Sequence, residues 1–356
     1  MLRPIQRIIL LFVLCLFLVS WGNKGHYAIN KKCPESFPAS MVAFQVWSDS
    51  LASLGSEADN RKSRDPNEKP KHYIDIDNYA EFNSTGRIAS TYDSIVNIHD
   101  SSFVKTDGTL PWATLNMYDT LKVAFEQKKW HKAMLCAADL GHYVGDGHMP
   151  LHLTANYDGR MTGQSGLHSR YESSMVYTFL SSLTSYTGKP IHMVSNVNKY
   201  IFDYIYINHQ YVDSVLAADV YAKTLAGNTT SSQYYTALWN KTHFTTTLFH
   251  NASHALADLI YTAWIEAGSP AFGIVNSMAN SGDGNNVSVF PNPTTGKVKL
   301  TGDNIFKTEV SDITGKSQGL FYDKHLDLFN LSNGMYILSI YGKDGLLKKE
   351  KILLNK

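Results

Sequence analysis

The chain has 356 residues with 32 lysines and arginines against 31 aspartates and glutamates, so it carries no strong global charge of either sign. This balance excludes tight binding of nucleic acid through bulk charge, although a compact metal site still binds a phosphate without such a field. The length allows about two domains and a sizeable core.

The first 20 residues have the pattern of a secretory signal peptide. Arg3 and Arg7 supply the positive charge, residues 8–19 form an uninterrupted apolar run, and Ser20 is small enough to precede a cleavage site. The apolar run is too short to span a bilayer comfortably, and no later stretch is long and apolar enough to do so. We therefore expect an exported, soluble mature protein that begins at Trp21.

Cleavage after Ser20 creates a free α-amine five residues before His26. The amine and carbonyl of Trp21 can chelate a metal ion in a five-membered ring, and an imidazole can complete the set. The alternative is an ordinary first helix with a surface histidine. Taken alone, the pattern favours the ordinary helix, and the position of Trp21 directly at the predicted cleavage point strengthens the case for the metal.

Residues 33–56 place apolar side chains at helical spacings, which predicts a core-facing helix. The side chains that define the pattern are Met41, Val42, Phe44, Trp47 and Leu51. After cleavage the chain keeps two cysteines, Cys33 and Cys136. They are compatible with one disulfide bond or with two separately buried thiols.

A polar loop follows, with Asp59 near its start and His72 near its end. Both are ligand types that zinc accepts. The other aspartates of this region, Asp65, Asp75 and Asp77, are interpreted as solvated groups that cap loops. Residues 110–140 are then predicted to be helical, leading into the most informative stretch of the chain.

That stretch runs from His142 to His152. His142 and Asp146 are four residues apart, so on a helix they share one face and can reach a common ion. Gly145 and Gly147 are expected to loosen the helix, and Pro150 to prevent its continuation. This exit of the backbone would turn His152 towards a second ion beside the first.

His168 and Glu172 repeat the spacing of four residues on a further predicted helix. Together with His152 they make a three-ligand set that leaves a position open, as expected of a catalytic zinc site. The loop between these ligands is rich in glycine and polar residues, and Asn156 within it is a candidate for contacting the substrate.

Residues 175–270 are predicted to be helical, and the composition changes at about residue 275. His250 and His254 have ligand spacing but lie among apolar residues and are interpreted as structural, and His148 as a supporting or surface group. Residues 273–286 form a polar, glycine-containing linker. Beyond it, short strand-like segments separated by turn signals predict a small antiparallel sandwich. These segments are residues 287–290, 297–300, 308–310, 326–328, 335–341 and 348–354.

Residues 21–265 resemble the superfamily of zinc-dependent phospholipases C and S1/P1 nucleases, because the ligand segments described above occur in the same order. The resemblance implies an all-α fold with three zinc ions and a phosphoesterase domain over residues 21–272. Its ligands would be Asp59, His72, His142 and Asp146 for the first ion, His152, His168 and Glu172 for the second, and Trp21, His26 and Asp146 for the third. Asp59, rather than Asp49, matches the family by its spacing to His72.

The two branches of the superfamily share features with this chain. The start at Trp21 is similar to the nucleases, and Tyr73 matches an aromatic residue that nucleases use to stack a base. The short loop after His152 and the presence of Glu172 resemble the phospholipases. Lys24 stands where choline-specific phospholipases carry a glutamate, which argues against a choline headgroup.

Residues 287–356 resemble the type A sorting domain of the type IX secretion system. The resemblance is carried by residues 290–296 (FPNPTTG), 312–316 (DITGK) and 333–340 (NGMYILSI), and by a basic tail. It implies engagement with the type IX secretion machinery and passage through the periplasm to the cell surface or exterior.

We therefore expect a secreted, trinuclear-zinc phosphodiesterase of phospholipase C type in which Asp59 orients or deprotonates the attacking water. An S1/P1-type nuclease acting on single-stranded DNA or RNA, with possible 3′-nucleotidase activity, is the alternative within this class. The competing class is a non-catalytic, zinc-stabilised surface protein.

Overall fold

The structure is a computed structural model that describes residues 22–272, 287–312, 315–343 and 345–356. The chain divides into a helical unit that ends at Pro270 and a second unit, Ala271–Lys356, to which Lys128–Lys132 is also assigned. The predicted signal peptide, Trp21 and the predicted linker 273–286 lie outside the described residues. A helical part followed by antiparallel β-sheets is the fold class expected from the sequence.

The helical unit is built from helices of very different lengths. Its α-helices are α1 Gly22–Lys32, α2 Ser48–Leu54, α3 Glu57–Arg61, α4 Ala80–Thr85, α5 Tyr92–His99, α6 Ser101–Thr106, α7 Leu110–Glu126, α8 Trp130–Gly147, α9 Leu167–Ser169, α10 Val176–Thr178, α11 Leu180–Leu183, α12 Val197–His209, α13 Val212–Ala226, α14 Ser232–Lys241 and α15 Phe244–Glu266. Short 3₁₀ helices cover Cys33–Ser36, Ala39–Trp47, Lys69–His72, Ile76–Asn78, Pro150–His152 and Arg160–Thr162. A π-helix, Arg170–Met175, joins α9 to α10.

The segment Ala39–Trp47 corrects one expectation from the sequence. It forms a 3₁₀ helix, so buried side chains recur every third residue, at Met41, Phe44 and Trp47. Val42, which the helical spacing assigned to the core, is 59% exposed because it faces away from this stripe. Apolar spacing alone did not distinguish a period of 3.0 from one of 3.6.

Helix α8 carries the central ligand stretch and continues to Gly147, beyond the point where the glycines were expected to loosen it. Gly141 and Gly145 instead allow α1 to approach. A Cβ atom at Gly141 would lie 2.0 Å from Asn30 Oδ1, and one at Gly145 would lie 3.0 Å from His26 Nδ1. The Asn30 side chain uses this space to donate to the carbonyl oxygens of Leu51 and Ala138, each at 3.0 Å.

The backbone leaves α8 as expected, and the 3₁₀ helix Pro150–His152 follows. Ile74 N donates to His152 O at 2.9 Å, which attaches this turn to the segment after His72. Asp77 accepts from Thr154 Oγ1 at 2.6 Å and from the amide of Ala155 at 2.9 Å. Asp77 therefore caps a loop, as the sequence predicted.

The longest helix, α15, supplies much of the core of the helical unit. Its side chains Leu248, Leu256 and Ile260 are buried, and Ser253 Oγ donates to the carbonyl oxygen of Ile29 at 3.1 Å. Both cysteines are buried and neither forms a disulfide bond, so the alternative of two separate thiols holds. None of the described helices is both long and apolar enough to cross a membrane.

The second unit contains two antiparallel sheets. Its strands are β1 Ser288–Phe290, β2 Lys297–Thr301, β3 Lys307–Asp312, β4 Ser317–Phe321, β5 His325–Asp327, β6 Gly334–Gly342 and β7 Gly345–Leu354. One sheet has the order β1-β2-β5 and the other β4-β3-β6-β7. Side chains of both sheets, including Leu300 and Leu338, share one apolar core. Strand β4 was missed by sequence reasoning because its residues do not alternate between buried and exposed.

The close approach of α1 to α8 makes Gly141 sensitive to substitution. We expect Gly141→Ala to lower the free energy of unfolding by about 1–3 kcal/mol, because overpacking outweighs the gain in helix propensity. Denaturant unfolding of the full chain measures this loss. In an Asn30→Ala background the penalty should shrink, since the displaced side chain is gone. An equal penalty in both backgrounds would show that the contact with Asn30 is not its cause.

Candidate metal centre

The structure brings the predicted ligands within the described residues together into three groups in the interior of the helical unit. The first group is Asp59, His72 and His142, and the second is His26, His142 and Asp146. The third group is His152, His168 and Glu172, which is the set predicted for the second ion. In each group the potential ligand atoms all lie within 4.8 Å of one another. Trp21, predicted to share the ion of His26, lies outside the described residues.

Four atoms converge at the first group. They are one atom each of Asp59, His72 and His142, together with Oδ2 of Asp146. His142 Nε2 lies 2.9 Å from His72 Nδ1 and 3.5 Å from Asp59 Oδ1. Asp146 Oδ2 lies 3.0 Å from His72 Nδ1 and 3.3 Å from His142 Nε2. Ligands about 2.0–2.1 Å from a tetrahedral zinc ion are roughly 3.3 Å apart, so these separations suit a single ion.

His26 brings α1 to the same place. Its Nε2 lies 3.5 Å from Asp146 Oδ1, and its ring stacks on that of His142 with centroids 3.7 Å apart. The side chain is buried, and neither ring nitrogen has a hydrogen-bond partner in the described part of the chain. Burial and the neighbouring His142 lower the pKa of His26 to about 3, so its nitrogens are free of an extra proton. A buried neutral imidazole without a partner is what an ion at this position requires.

The third group lies at the turn after α8 and around the start of the π-helix. His152 Nε2 lies 3.3 Å from His168 Nε2 and 3.6 Å from Glu172 Oε2, and His168 Nε2 is in direct contact with the same carboxylate oxygen. Glu172 is buried, whereas the His168 side chain is 23% exposed. Three ligands on the solvent side of the centre leave room for a further ligand from outside.

Asp146 connects all three groups. Its Oδ2 faces His72 and His142, while Oδ1 lies 3.5 Å from His26 Nε2 and 3.0 Å from His152 Nδ1. The sequence assigned this aspartate to two ions only, because the approach of His152 Nδ1 depends on the turn at Pro150. The carboxylate is the common element of the centre.

Charges in the centre are strongly coupled. Burial opposes ionisation, but the carboxylates of Asp146 and Asp59 raise the pKa of His142 to about 10, and those of Asp146 and Glu172 do the same for His152. The histidines in turn lower the pKa of Asp146 and of Asp59, against the effect of burial. The ligand set is therefore anionic enough to hold protons on two of its histidines, and a cation would displace those protons.

Groups outside the ligand set orient the histidines. His142 Nδ1 lies 2.7 Å from the carbonyl oxygen of Gly55, which directs Nε2 into the first group. Glu68 is buried and its Oε1 lies 3.6 Å from His72 Nε2. The neighbouring His72 ring and hydrogen bonds from Lys71 and Tyr143 outweigh burial and hold the pKa of Glu68 well below its ordinary value. Sequence reasoning missed Glu68, although it lies four residues before His72, the same spacing as in the two predicted ligand pairs.

The structure also distinguishes the two candidate aspartates near the N-terminus. Asp59 lies in the first group, and its Oδ1 is 2.6 Å from Lys62 Nζ. Asp49 pairs with Lys31 on the surface, where its side chain is 88% exposed. The nearby Arg61 is not a free surface charge, because it pairs with Asp139 and with Glu68.

The π-helix that carries Glu172 is fixed by a buried network. Asp219 is fully buried and accepts from Arg170 Nη2 at 2.9 Å and from Gln164 Nε2 at 2.9 Å, and Tyr234 OH also contacts it. Because Arg170 lies between His168 and Glu172 in the chain, this network holds both ligands. A π-turn in this position is typical of functional sites.

The two predicted substrate-binding residues lie on loops of the same unit. The Tyr73 side chain is half-buried, and its hydroxyl donates to the carbonyl oxygen of Thr106 at 2.9 Å. Asn156 Oδ1 accepts from Met161 N at 2.9 Å, and its Nδ2 donates to Thr162 Oγ1 at 3.1 Å, so both ends of the amide shape the loop. Their contact with a substrate stays a prediction. Tyr157, which the sequence did not single out, is 45% exposed and packs edge-on against His168.

Of the two interpretations of His148, a supporting group or a surface group, the surface position is wrong. It is buried rather than on the surface, its Nδ1 lies 2.8 Å from the carbonyl oxygen of Val144, and its ring stacks on Tyr204. His250 and His254 lie outside the three groups and contact Ser185 and Tyr186 respectively.

Comparison with known proteins identifies the C-terminal unit. Residues 288–355 match the family model of the secretion system C-terminal sorting domain. The match indicates secretion through the type IX system to the cell surface or exterior, and engagement with that machinery. No curated protein matches the chain in sequence.

Among solved structures, two clostridial toxins are similar. The alpha toxin of Clostridium absonum is 13% identical, with 93% of this chain and 96% of that chain covered and a TM-score of 0.44. The alpha toxin of an avian strain of Clostridium perfringens is 11% identical, with the same coverages and a TM-score of 0.46. Likeness at this level carries no information about the activity of this chain.

Proposed function

We propose that this chain is a secreted zinc-dependent hydrolase that cleaves phosphodiester bonds, with phospholipase C-type substrates as the leading candidates. The observation that carries the proposal is the joining of three ligand groups by one buried carboxylate, Asp146, with the third group partly open to solvent at His168. Structural zinc sites are closed by four protein ligands, whereas catalytic ones keep a position for water or substrate.

The residues present fit zinc. Imidazole nitrogens and carboxylate oxygens are the ligands of catalytic zinc, and the buried nitrogens of His26 lack any other partner in the described part of the chain. When bound, zinc ions lower the pKa of water and neutralise negative charge on phosphoryl oxygens.

The side chains of this protein would position and deprotonate the nucleophile. Asp59 orients the attacking water and accepts its proton, and the pKa of Asp59 is held low enough, by His142 and Lys62 against its burial, to keep it ionised. The water oxygen bonds to phosphorus, the bond from phosphorus to the leaving oxygen breaks, and that oxygen takes up the proton that Asp59 accepted, directly or through solvent. Lys62 adds a positive charge beside Asp59 that would attract the anionic diester.

Exposed side chains near the third group support a lipid substrate. Met161 is 75% exposed and Tyr157 is 45% exposed, and both lie in the loop that follows His152. Tyr157 touches His168, so an apolar part of a substrate could rest against it. Lys24 on the exposed face of α1 adds a positive charge that disfavours a cationic headgroup.

A nuclease is the second candidate, and it is favoured by the same tyrosine. An exposed aromatic ring against a ligand histidine could stack on a base as well as on an acyl or glycerol group. Tyr73, half-buried, is the other aromatic residue proposed for this role. The competing class, a zinc-stabilised surface protein without activity, would not need the opening at His168.

Zinc should stabilise the protein through these groups. We expect added zinc to raise the thermal unfolding temperature of the metal-free full chain, because an ion that binds only the folded state at 100 times its Kd stabilises by about 2.7 kcal/mol. His168→Ala should reduce the rise. His250→Ala is the matched control, since His250 has the same spacing of four residues to His254 but lies outside the groups. Equal rises in all three proteins would contradict the assignment.

A substrate panel tests the reaction. Zinc-loaded protein is assayed on phospholipid in mixed micelles, on single-stranded DNA and RNA, on a 3′-nucleotide and on a simple phosphodiester. We expect hydrolysis of at least one diester and its loss in His142→Ala, which removes a ligand shared by two groups. Full activity of His142→Ala would refute the centre. Inactivity of zinc-loaded protein on every phosphoester would favour the non-catalytic class.

Asp59 has a more specific test. Asp59→Asn keeps the size of the side chain but removes its charge, and we expect kcat to fall about 100-fold or more with a smaller change in KM, as for loss of a general base. Asp49→Asn, the surface aspartate in the same part of the chain, should keep the kcat of the unaltered protein. A normal kcat for Asp59→Asn would contradict the assigned role.

A further inference from the structure

Glu68 is a buried carboxylate that lies outside the three ligand groups. It is 1% exposed, yet it is surrounded by hydrogen-bond donors. Its Oε2 accepts from Lys71 Nζ at 2.8 Å, and its Oε1 accepts from the Tyr143 hydroxyl at 2.5 Å and from Arg61 Nη2 at 3.3 Å. Burying a charge is costly, so a carboxylate with three donors around it has a defined place and direction.

That direction points at His72. The imidazole of His72 faces two ways: Nδ1 lies 3.0 Å from Asp146 Oδ2 in the first group, and Nε2 lies 3.6 Å from Glu68 Oε1 on the opposite side. A neutral imidazole that gives one nitrogen to an ion carries its proton on the other nitrogen. The proton on His72 Nε2 then faces Glu68 Oε1 at 3.6 Å, and this nitrogen has no hydrogen-bond partner among the described residues.

We propose that Glu68 is a positioning residue that fixes the tautomer and orientation of His72, so that Nδ1 is presented to an ion in the first group. The inference rests on the proposed metal centre and adds a role that the ligand set alone does not contain. Partners of ligand histidines raise the basicity of the ring and hold it in place, and their loss typically costs about 10- to 100-fold in metal affinity.

The surroundings of Glu68 make it rigid. Arg61 is bound at the same time by Asp139, with Nη2 at 3.0 Å from Asp139 Oδ2, so it cannot move away from Glu68 without breaking a second ion pair. Tyr143 is buried on α8 directly after the ligand His142. The network thus joins the loop that carries His72 to the helix that carries His142 and Asp146.

The test separates positioning from mere structural support. Zinc affinity of the folded full chain is measured by competition with a chromophoric chelator, and the thermal unfolding temperature of each metal-free variant is measured alongside. We expect Glu68→Ala to weaken one class of zinc site about 10- to 100-fold while the remaining sites keep their affinity. Glu68→Gln should weaken it less, because its amide oxygen still accepts from His72.

Glu266 offers a matched control. It accepts from Tyr118 OH at 2.9 Å and lies 3.3 Å from Lys122 Nζ, which repeats the tyrosine–glutamate–lysine arrangement away from the ligand groups. Glu266→Ala should leave all zinc affinities unchanged. In a His72→Ala background, Glu68→Ala should cause no further loss of zinc affinity, since it acts through that ring.

Each result decides the matter. If Glu68→Ala lowers only the unfolding temperature of the metal-free protein and binds zinc as the unaltered chain does, the positioning role is wrong while the metal centre stands. A loss that persists in the His72→Ala background overturns it as well.

If Glu68→Ala does not fold, Tyr143→Phe removes one donor to Glu68 and should weaken the same site several-fold; unchanged affinity there refutes the role. Failure of the unaltered chain to bind zinc would overturn the centre itself.

Discussion

The buried carboxylate of Asp146 is the constraint on which the helical unit depends. Asp146 has no exposed surface, and an isolated ionised carboxylate cannot be removed from water without compensation. The charges of His142 and His152 provide this compensation, and four imidazoles on separate parts of the chain lie within about 3.5 Å of the two oxygens. They are His26 on α1, His72 at the end of its 3₁₀ helix, His142 one turn earlier on α8, and His152 after the turn at Pro150. The fold is arranged so that these four elements meet.

Small residues on α8 make that meeting possible. Gly141 and Gly145 lie on the face of α8 that receives α1, one turn apart like the ligands His142 and Asp146 that follow them. Any larger side chain at Gly145 would approach the His26 ring, and one at Gly141 would displace Asn30. Glycine lowers helix propensity at these two interior positions, but it allows the backbone of α1 to bring His26 close. The glycines that seem from the sequence to weaken α8 are required in the structure for the close packing of α1 against it.

Ligand pairs on one helix were predictable because they depend on local geometry alone. His142 with Asp146 has a spacing that places both side chains on one face of α8 whatever the rest of the chain does. His168 and Glu172 also meet, although a π-helix begins between them. The alternating strand β2 follows the same logic. Glu68 lies four residues before His72, but its buried position also depends on Tyr143, which arrives from a distant part of the sequence. The exposed Val42 and the missed β4 have local causes that apolar patterning does not register: a 3₁₀ period in the first case and the lack of alternation in the second.

Charge at the centre explains how a chain with a net charge near zero could act on an anionic substrate. In the metal-free protein, the negative charges of Asp59, Asp146 and Glu172 are balanced by protons on His142 and His152 and by the ammonium group of Lys62. With the proposed three zinc ions, six positive charges would face the same three carboxylates, and the displaced protons would leave. Bound cations then become the largest local charges, and the excess is positive. A site of this kind would attract a phosphodiester at short range, whereas the near-zero net charge of the chain supplies no long-range attraction for anions.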